Sequence, residues 1–346
     1  MKFITLRLLR NEKGSVTVLI ALVITALLGM AALVLDLGLS YYESVELQNA
    51  ADAAVLAAAW ELPAKTTRPN KINDVKDKAI EYAQKNGLTI TRSDVQLTQT
   101  IDNEYRGVAV TAQKTVNYSF ARVLGINSGN VIKSSEAWVG GLVSAVGIVP
   151  LGFDYNDCLN ATEGQTFIIK EGAHSGGGGW RGIVELDGDI AGGASDYEDW
   201  LANGYDGEVT EGDTLPVQNG NISGPTIDAV NDERVTQCTD TQCAGTCSKS
   251  DATTTYPAHQ YCTHDHYIIG CPRVIVTPVI EVIDPTDSNS PVLVKGFAVF
   301  VLEETVVGGG GDNQIIATFV KTVVPGEAEL TATIHDFGAY GVRLVH

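Results

Sequence analysis

The densest set of groups able to do chemistry lies in the second half of the chain. "CTDTQCAGTC" carries Cys238, Cys243 and Cys247, and "HQYCTHDHYIIGC" adds His259, Cys262, His264, His266 and Cys271. Thiolates and imidazoles are donors that a tetrahedral zinc ion accepts, and Cys262, His264, His266 and Cys271 are the set that would hold one. The spacings differ from the paired Cys-x-x-Cys hairpins of zinc ribbons. The preferred expectation is a disulfide-stapled insertion drawing on Cys158, Cys238, Cys243, Cys247, Cys262 and Cys271, with reduced thiols as the third case. Its connectivity is not readable. Asp187, Asp189, Asp196, Glu198 and Asp199 offer oxygen ligands of the kind calcium takes, but not in EF-hand order, so a solvated acidic loop is expected there. His174 and His335 stand alone and receive no role. The chain carries no Gly-x-Ser-x-Gly elbow and no His-Glu-x-x-His pair. The glycine runs 175–179 and 308–311 lack the Gly-Lys-Ser/Thr ending of a phosphate cradle, and are expected as flexible hairpin tips. No catalytic residue, cofactor site or enzymatic activity is assigned.

The elements that would position these groups fall into three regions. Residues 1–39 hold a basic tip and an apolar helix. From 40 to 140 the pattern is helix, then a second amphipathic helix in "INDVKDKAIEYAQKNG", then the alternating strands "VQLTQTI", "GVAVTAQKTVNY" and "VIKSSEAWV". Between the last two, "SFARVLGI" reads as one short helical turn. From 141 to 346 the chain is glycine-rich and predominantly β, with strands at "TFIIKE", "GIVEL", "RVIVTPVIEVI", "PVLVKGFAVFVLEE" and "QIIATFVKTVV". One helix is expected at "GPTIDAVNDERV", and the cysteine insertion occupies about 236–272.

Charge separates the two ends. The chain totals −19, while residues 1–14 contribute +3 through Lys2, Arg7, Arg10 and Lys13 against Glu12, leaving −22 for the rest. So acidic a body repels nucleic-acid phosphates and argues against DNA or RNA as partner. Ser15 to Leu35 run without a charge, about 32 Å of helix, which matches a bilayer core. Basic residues before it and Asp36, Glu43 and Glu46 after it predict a cytoplasmic N-terminus and an extracellular C-terminal body. The apolar run exceeds the h-region of a signal peptide, so a retained single-pass anchor in the cell membrane is expected rather than a cleaved leader. Ala21, Thr25 and Gly29 share a face of that helix, a small-residue pattern that favours close helix packing in a membrane. Leu47, Ala50, Ala54, Ala57 and Ala58 continue a thin face beyond it. Its packing partner, another protein or the chain's own β-rich part, is open at this point.

The stretch "NEKGSVTVLIALVITALLGMAALVLDLGLSYYESVELQNAADAAVLAAA" resembles the N-terminal module of Tad (tight adherence, Flp) pilus-assembly proteins of the TadE/TadG kind. The shared elements are Lys13-Gly14, the apolar helix, Asp36-Leu37-Gly38, and the tail "LQNAADAA" followed by "LAAA". "VPLGF", "GPTIDAVNDER" and "KGFAVF" more loosely resemble the β-rich region of Gram-positive TadG-like proteins. The resemblance implies an accessory or minor-pilin role in pilus assembly or surface attachment. Its partners would be the membrane and pilin-like or platform proteins. Two departures matter. Prepilins cleaved after a glycine carry glutamate at the fifth position beyond, and counting from Gly14 that position is Leu19. A polymerising major pilin is therefore not expected. Asp284-Pro-Thr286-Asp-Ser288 is the nearest approach to a von Willebrand type A metal motif, and too little chain follows it to complete such a domain. The prediction is an α+β protein: a transmembrane helix continuing into a long extracellular helix, a small pilin-like α+β module, then a β-rich domain. A stand-alone surface adhesin using the same anchor is the alternative.

Overall fold

The uncharged run and the alanine block beyond Asp36 form one helix, Lys13–Ala59. No proline interrupts it, and seven of the ten residues from Ala50 to Ala59 are alanine, the strongest helix former. Pro63, which cannot continue the hydrogen-bond ladder, stands just past its end. The computed structural model describes residues 13–101, 103–170, 180–188, 193–220, 222–235, 267, 270–287, 289–302, 314–329 and 336–345.

A second helix, Pro69–Lys85, starts with proline where a missing N–H costs nothing. It ends in a Schellman motif: Gly87, at φ 75°, donates to the Gln84 carbonyl while Leu88 donates to that of Ala83. Val75, Ala79 and Ala83 line its buried face. The strand Val95–Ile101 then pairs antiparallel with Glu104–Asn117, which forms a long hairpin with Ser128–Ala145. The first core is where the two helices meet this sheet. Leu47, Ala50, Ala54 and Ala58 of the long helix pack there with Val75 and Ala79, with Val108, Val110, Ala137 and Val139, and with Tyr340.

A second sheet is built from Val274–Val282, Val292–Leu302, Ile315–Val320 and Thr166–Lys170 in that order, antiparallel throughout. Phe153–Asp154 adds a short parallel pairing at its edge. Its central strand is buried on both faces. Ala298, Phe300 and Leu302 enter one core with Phe153 and Phe319, whereas Phe297, Val299 and Val301 enter another with Leu142 and Trp200. Two-sided burial explains why "KGFAVFVL" is nearly continuous apolar sequence instead of alternating. Gly296 sits opposite a register shift at Val279/Ile280, with φ 149°, and a Cβ there would lie 2.5 Å from the Phe337 ring. Only glycine fits both constraints.

The long sheets correct two expectations. The boundary expected at residue 140 falls inside the strand Ser128–Ala145. That strand pairs along its first part with 104–117, then through Glu136–Gly141 with Ala339–Val345 near the chain's end. It reaches Glu327–Glu329 and Val209–Thr210 beyond that. The first sheet is thus completed by residues some two hundred positions downstream. Secondly, the acidic segment expected as a loop contains a helix, Gly193–Asn203. Tyr197, Trp200 and Leu201, spaced three and four apart, bury one side of it. The helix expected at 224–235 begins as Ser223–Ile227 and continues as wider π-type turns over Asp228–Val235.

Candidate anchoring and docking site

The long helix divides at Asp36 into two chemically different halves. Before it, Val16, Leu19, Leu22, Leu28 and Val34 are all more than half exposed. The most apolar 18-residue window has a mean hydropathy of 2.9, and none of it is buried within the fold. By length and composition this is one apolar helix compatible with a single-pass membrane anchor. Ala21, Thr25 and Gly29 lie on this exposed half, and nothing in the described fold comes within 4 Å of a Cβ placed on Gly29. The Thr25 hydroxyl donates to the Ala21 carbonyl at 2.8 Å, the internal bond a hydroxyl needs in hydrocarbon.

After Asp36 the helix is clamped to the long hairpin at three successive levels. Asp36 is only 5 % exposed, and its carboxylate accepts three backbone N–H groups from the hairpin tip. Ser119 donates at 3.0 Å, Phe120 at 2.9 Å and Ala121 at 2.6 Å. These are the donors at the start of a short 3-10 turn, Ala121–Leu124, so the carboxylate caps that turn from another element. One helical turn further on, the Ser40 hydroxyl donates to the Tyr118 hydroxyl at 3.3 Å. Beyond it Lys114 pairs with Glu43. Helix numbers rise as strand numbers fall, so the helix runs antiparallel to the 104–117 strand, with the tip at the level where the apolar run ends.

Higher still, Leu47, Ala50, Ala54 and Ala58 are buried and Ala57 is half-buried. The alanine face therefore packs within the chain, against its own sheet and second helix, since the small side chains let the backbones approach closely. The face left outward carries Tyr41, Tyr42 and Val45, at 73 %, 59 % and 41 % exposed. Sequence patterning singled out the alanines and passed over these residues.

This division coincides with a match to a family model described as putative Flp pilus-assembly TadE/G-like, covering residues 14–61. Residues 14–61 are similar to a TadE/G-like module. The match begins beside the Lys13-Gly14 pair and ends two residues after the helix does. No curated protein and no solved structure matches the chain. The TadE/G-like segment thus contains both halves of the helix and the Asp36 that joins them, while the hairpin clamped to it lies outside the match.

The chemistry-bearing residues are placed as follows. Cys158 carries a free thiol in the second core; it donates to the Phe337 carbonyl at 3.9 Å, and burial pushes its pKa up to about 12. Its side chain lies among packed apolar residues of that core. Cys271 is buried. Cys238, Cys243, Cys247, Cys262, His264 and His266 lie outside the described residues, as do Asp189, His174 and His335. Asp196, Glu198 and Asp199 sit on the 193–203 helix, where Asp199 accepts from Asn203 at 2.8 Å. Among the described residues no cluster of acidic, histidine or cysteine side chains could hold a metal ion. Asp284 forms the hairpin turn before the 292–302 strand, accepting from the Thr286 amide at 2.9 Å and its hydroxyl at 2.7 Å.

One buried ionic cluster was invisible in the sequence. Asp336 accepts from Arg106 at 2.8 Å and Lys321 at 2.5 Å, and from the Tyr340 hydroxyl, with Glu104 3.6 Å from Arg106. Arg106 also lies 5.0 Å from the Tyr340 ring centroid. Three segments of the chain meet there, which makes it a clasp between the first sheet and the returning C-terminal strand.

Proposed function

We propose that the chain is an accessory or minor-pilin component of a Tad/Flp pilus-assembly or surface-attachment system, acting by protein–protein binding without bond chemistry. The observation that carries this is the coincidence of the TadE/G-like match with one helix that is apolar and exposed below Asp36 and packed above it. In this proposal the N-terminal tip is cytoplasmic, as its basic residues favour. The pilin-like α+β module and the β-rich part are displayed outside. Leu19, at the position where a prepilin carries glutamate, weighs against polymerisation as a major pilin.

Because the alanine face is occupied by the chain's own sheet, contact with a pilin or platform protein would use the exposed surfaces. Those are the Ala21, Thr25 and Gly29 stripe within the membrane, and Tyr41, Tyr42 and Val45 above it. Photo-crosslinkers at positions 25 and 42 in the native membrane, read by mass spectrometry, are expected to capture a pilin or a platform component. Anchored protein that yields neither at either position would sink the proposal. A stand-alone adhesin is the second reading, favoured by the large β-rich part beyond residue 61. Surface attachment that persists after deletion of the pilus machinery would favour it.

A further inference from the structure

The hairpin tip 118–127 ends in an apolar cluster that the chain leaves uncovered. Phe120 is 46 % exposed, Ile126 52 % and Val123 89 %, the last almost a free side chain. An apolar tip of this kind is unusual on a water-facing loop, where turn residues are normally polar. Its position says what covers it. Asp36 holds the backbone of Ser119, Phe120 and Ala121 against the helix at the residue where the 21-residue uncharged run stops. The tip therefore sits at the level where the anchor leaves the bilayer, on the same side of the module as the exposed apolar half of the helix.

We propose that this tip is a second membrane contact: Phe120, Val123 and Ile126 enter the boundary between headgroups and acyl chains of the bilayer that the helix crosses. The proposal rests on the anchor reading of residues 15–35 and extends it to a loop outside the TadE/G-like match. The backbone of the tip is suited to such a place. Tyr118 donates to Asn127, Val123 to Phe120, Gly125 to Arg122 and Ile126 to Ala121, so these N–H groups are satisfied without water. Arg122 is exposed on the same turn, long enough to keep its guanidinium among lipid phosphates while its stem lies along the apolar residues. Held at two points, the anchor helix and the tip, the module would have a fixed tilt on the membrane. A single helix would leave it free to swivel.

The test uses the full chain reconstituted into phosphatidylcholine vesicles, with Val123→Trp, and with Ile283→Trp as a control on an exposed turn of the second sheet. The added indole at 123 is expected to emit at blue-shifted wavelengths and to lose most of its signal when the lipids are brominated near the headgroup end of the acyl chains. The indole at 283 should respond to neither. Water-like, unquenched emission at 123 from vesicles that retain the protein through alkaline carbonate would overturn the tip contact and leave the anchor standing. A blue shift without quenching would mean protein covers the tip, and would also overturn it. Release of the chain by carbonate would remove the anchor and this proposal with it.

Discussion

Asp36 and Asp336 are both carboxylates in demanding surroundings, and they do different work. Asp36 receives three amides of one turn, so it fixes where the hairpin tip lies along the helix. Asp36→Ala is expected to abolish the slow hydrogen exchange of the Ser119, Phe120 and Ala121 amides in detergent, while protection of the 128–138 strand persists. Asp36→Asn, which keeps one acceptor oxygen, should fall between the two. Asp336 is shaped by opposed forces. Burial pushes its pKa up, but Lys321 and Arg106 outweigh this and hold it below the ordinary carboxylate value. A carboxyl held below its unfolded value stabilises the fold above that value, and the contribution fades as pH falls through the folded value. Stability is therefore expected to drop below about pH 4, and Asp336→Asn should flatten that limb. Glu104, raised by burial, works with the opposite sign. At pH 7 the same substitution should cost about 2 kcal/mol in a denaturant titration, less than for a fully buried pair. None of this was legible in the sequence, since Asp36 takes its partners from residues more than 80 positions away and Asp336 reaches Arg106 across 230.

At the scale of elements, the long helix has two chemically different halves. The lower half is apolar over its whole circumference, as a segment surrounded by lipid should be. The upper half is thin on one side because a sheet and a second helix pack there. The two halves should respond oppositely to the same change. Ala54→Leu adds volume at a position with no exposure, and is expected to destabilise the module by about 1–3 kcal/mol. Ala21→Leu, on the exposed half, should leave the thermal unfolding of the module unchanged in detergent. Equal effects from the two would contradict the division at Asp36. The helix and strand periodicities were readable for most of the chain: "VQLTQTI" is a strand over the same residues, and "SFARVLGI" does contain a short turn. The 193–203 helix was hidden because it follows a glycine-rich acidic run and carries three acidic residues itself, and its buried side rests on Tyr197, Trp200 and Leu201.

At the scale of the whole molecule, the chain closes on itself. The strand Ala339–Val345 returns to the first sheet, and Tyr340, with no exposure, enters the first core. The region after the apolar run is therefore not an independent bead followed by a second one. Tyr340→Ala is expected to destabilise by about 3–5 kcal/mol, comparable to loss of a buried phenylalanine. It should raise exchange at 136–141, on the far side of the chain in sequence. Tyr340→Phe, which removes only the hydroxyl donated to Asp336, should cost much less. If both left 136–141 protected, the returning strand would not be what completes the sheet.

The sequence by itself determined what depends on neighbours along the chain: the uncharged 21-residue run, the helix propensity of the alanine block, the alternation of the strands and the TadE/G-like pattern. These are local properties, set by side chains within a few turns of one another. Only the tertiary structure decided that the alanines face the chain's own sheet, that Cys158 is enclosed in a core, and that the last strand belongs to the first sheet. It also decided that an apolar hairpin tip is held beside the end of the uncharged run. Each of these depends on contacts between residues tens to hundreds of positions apart, and a single sequence carries no periodic signal for such pairings.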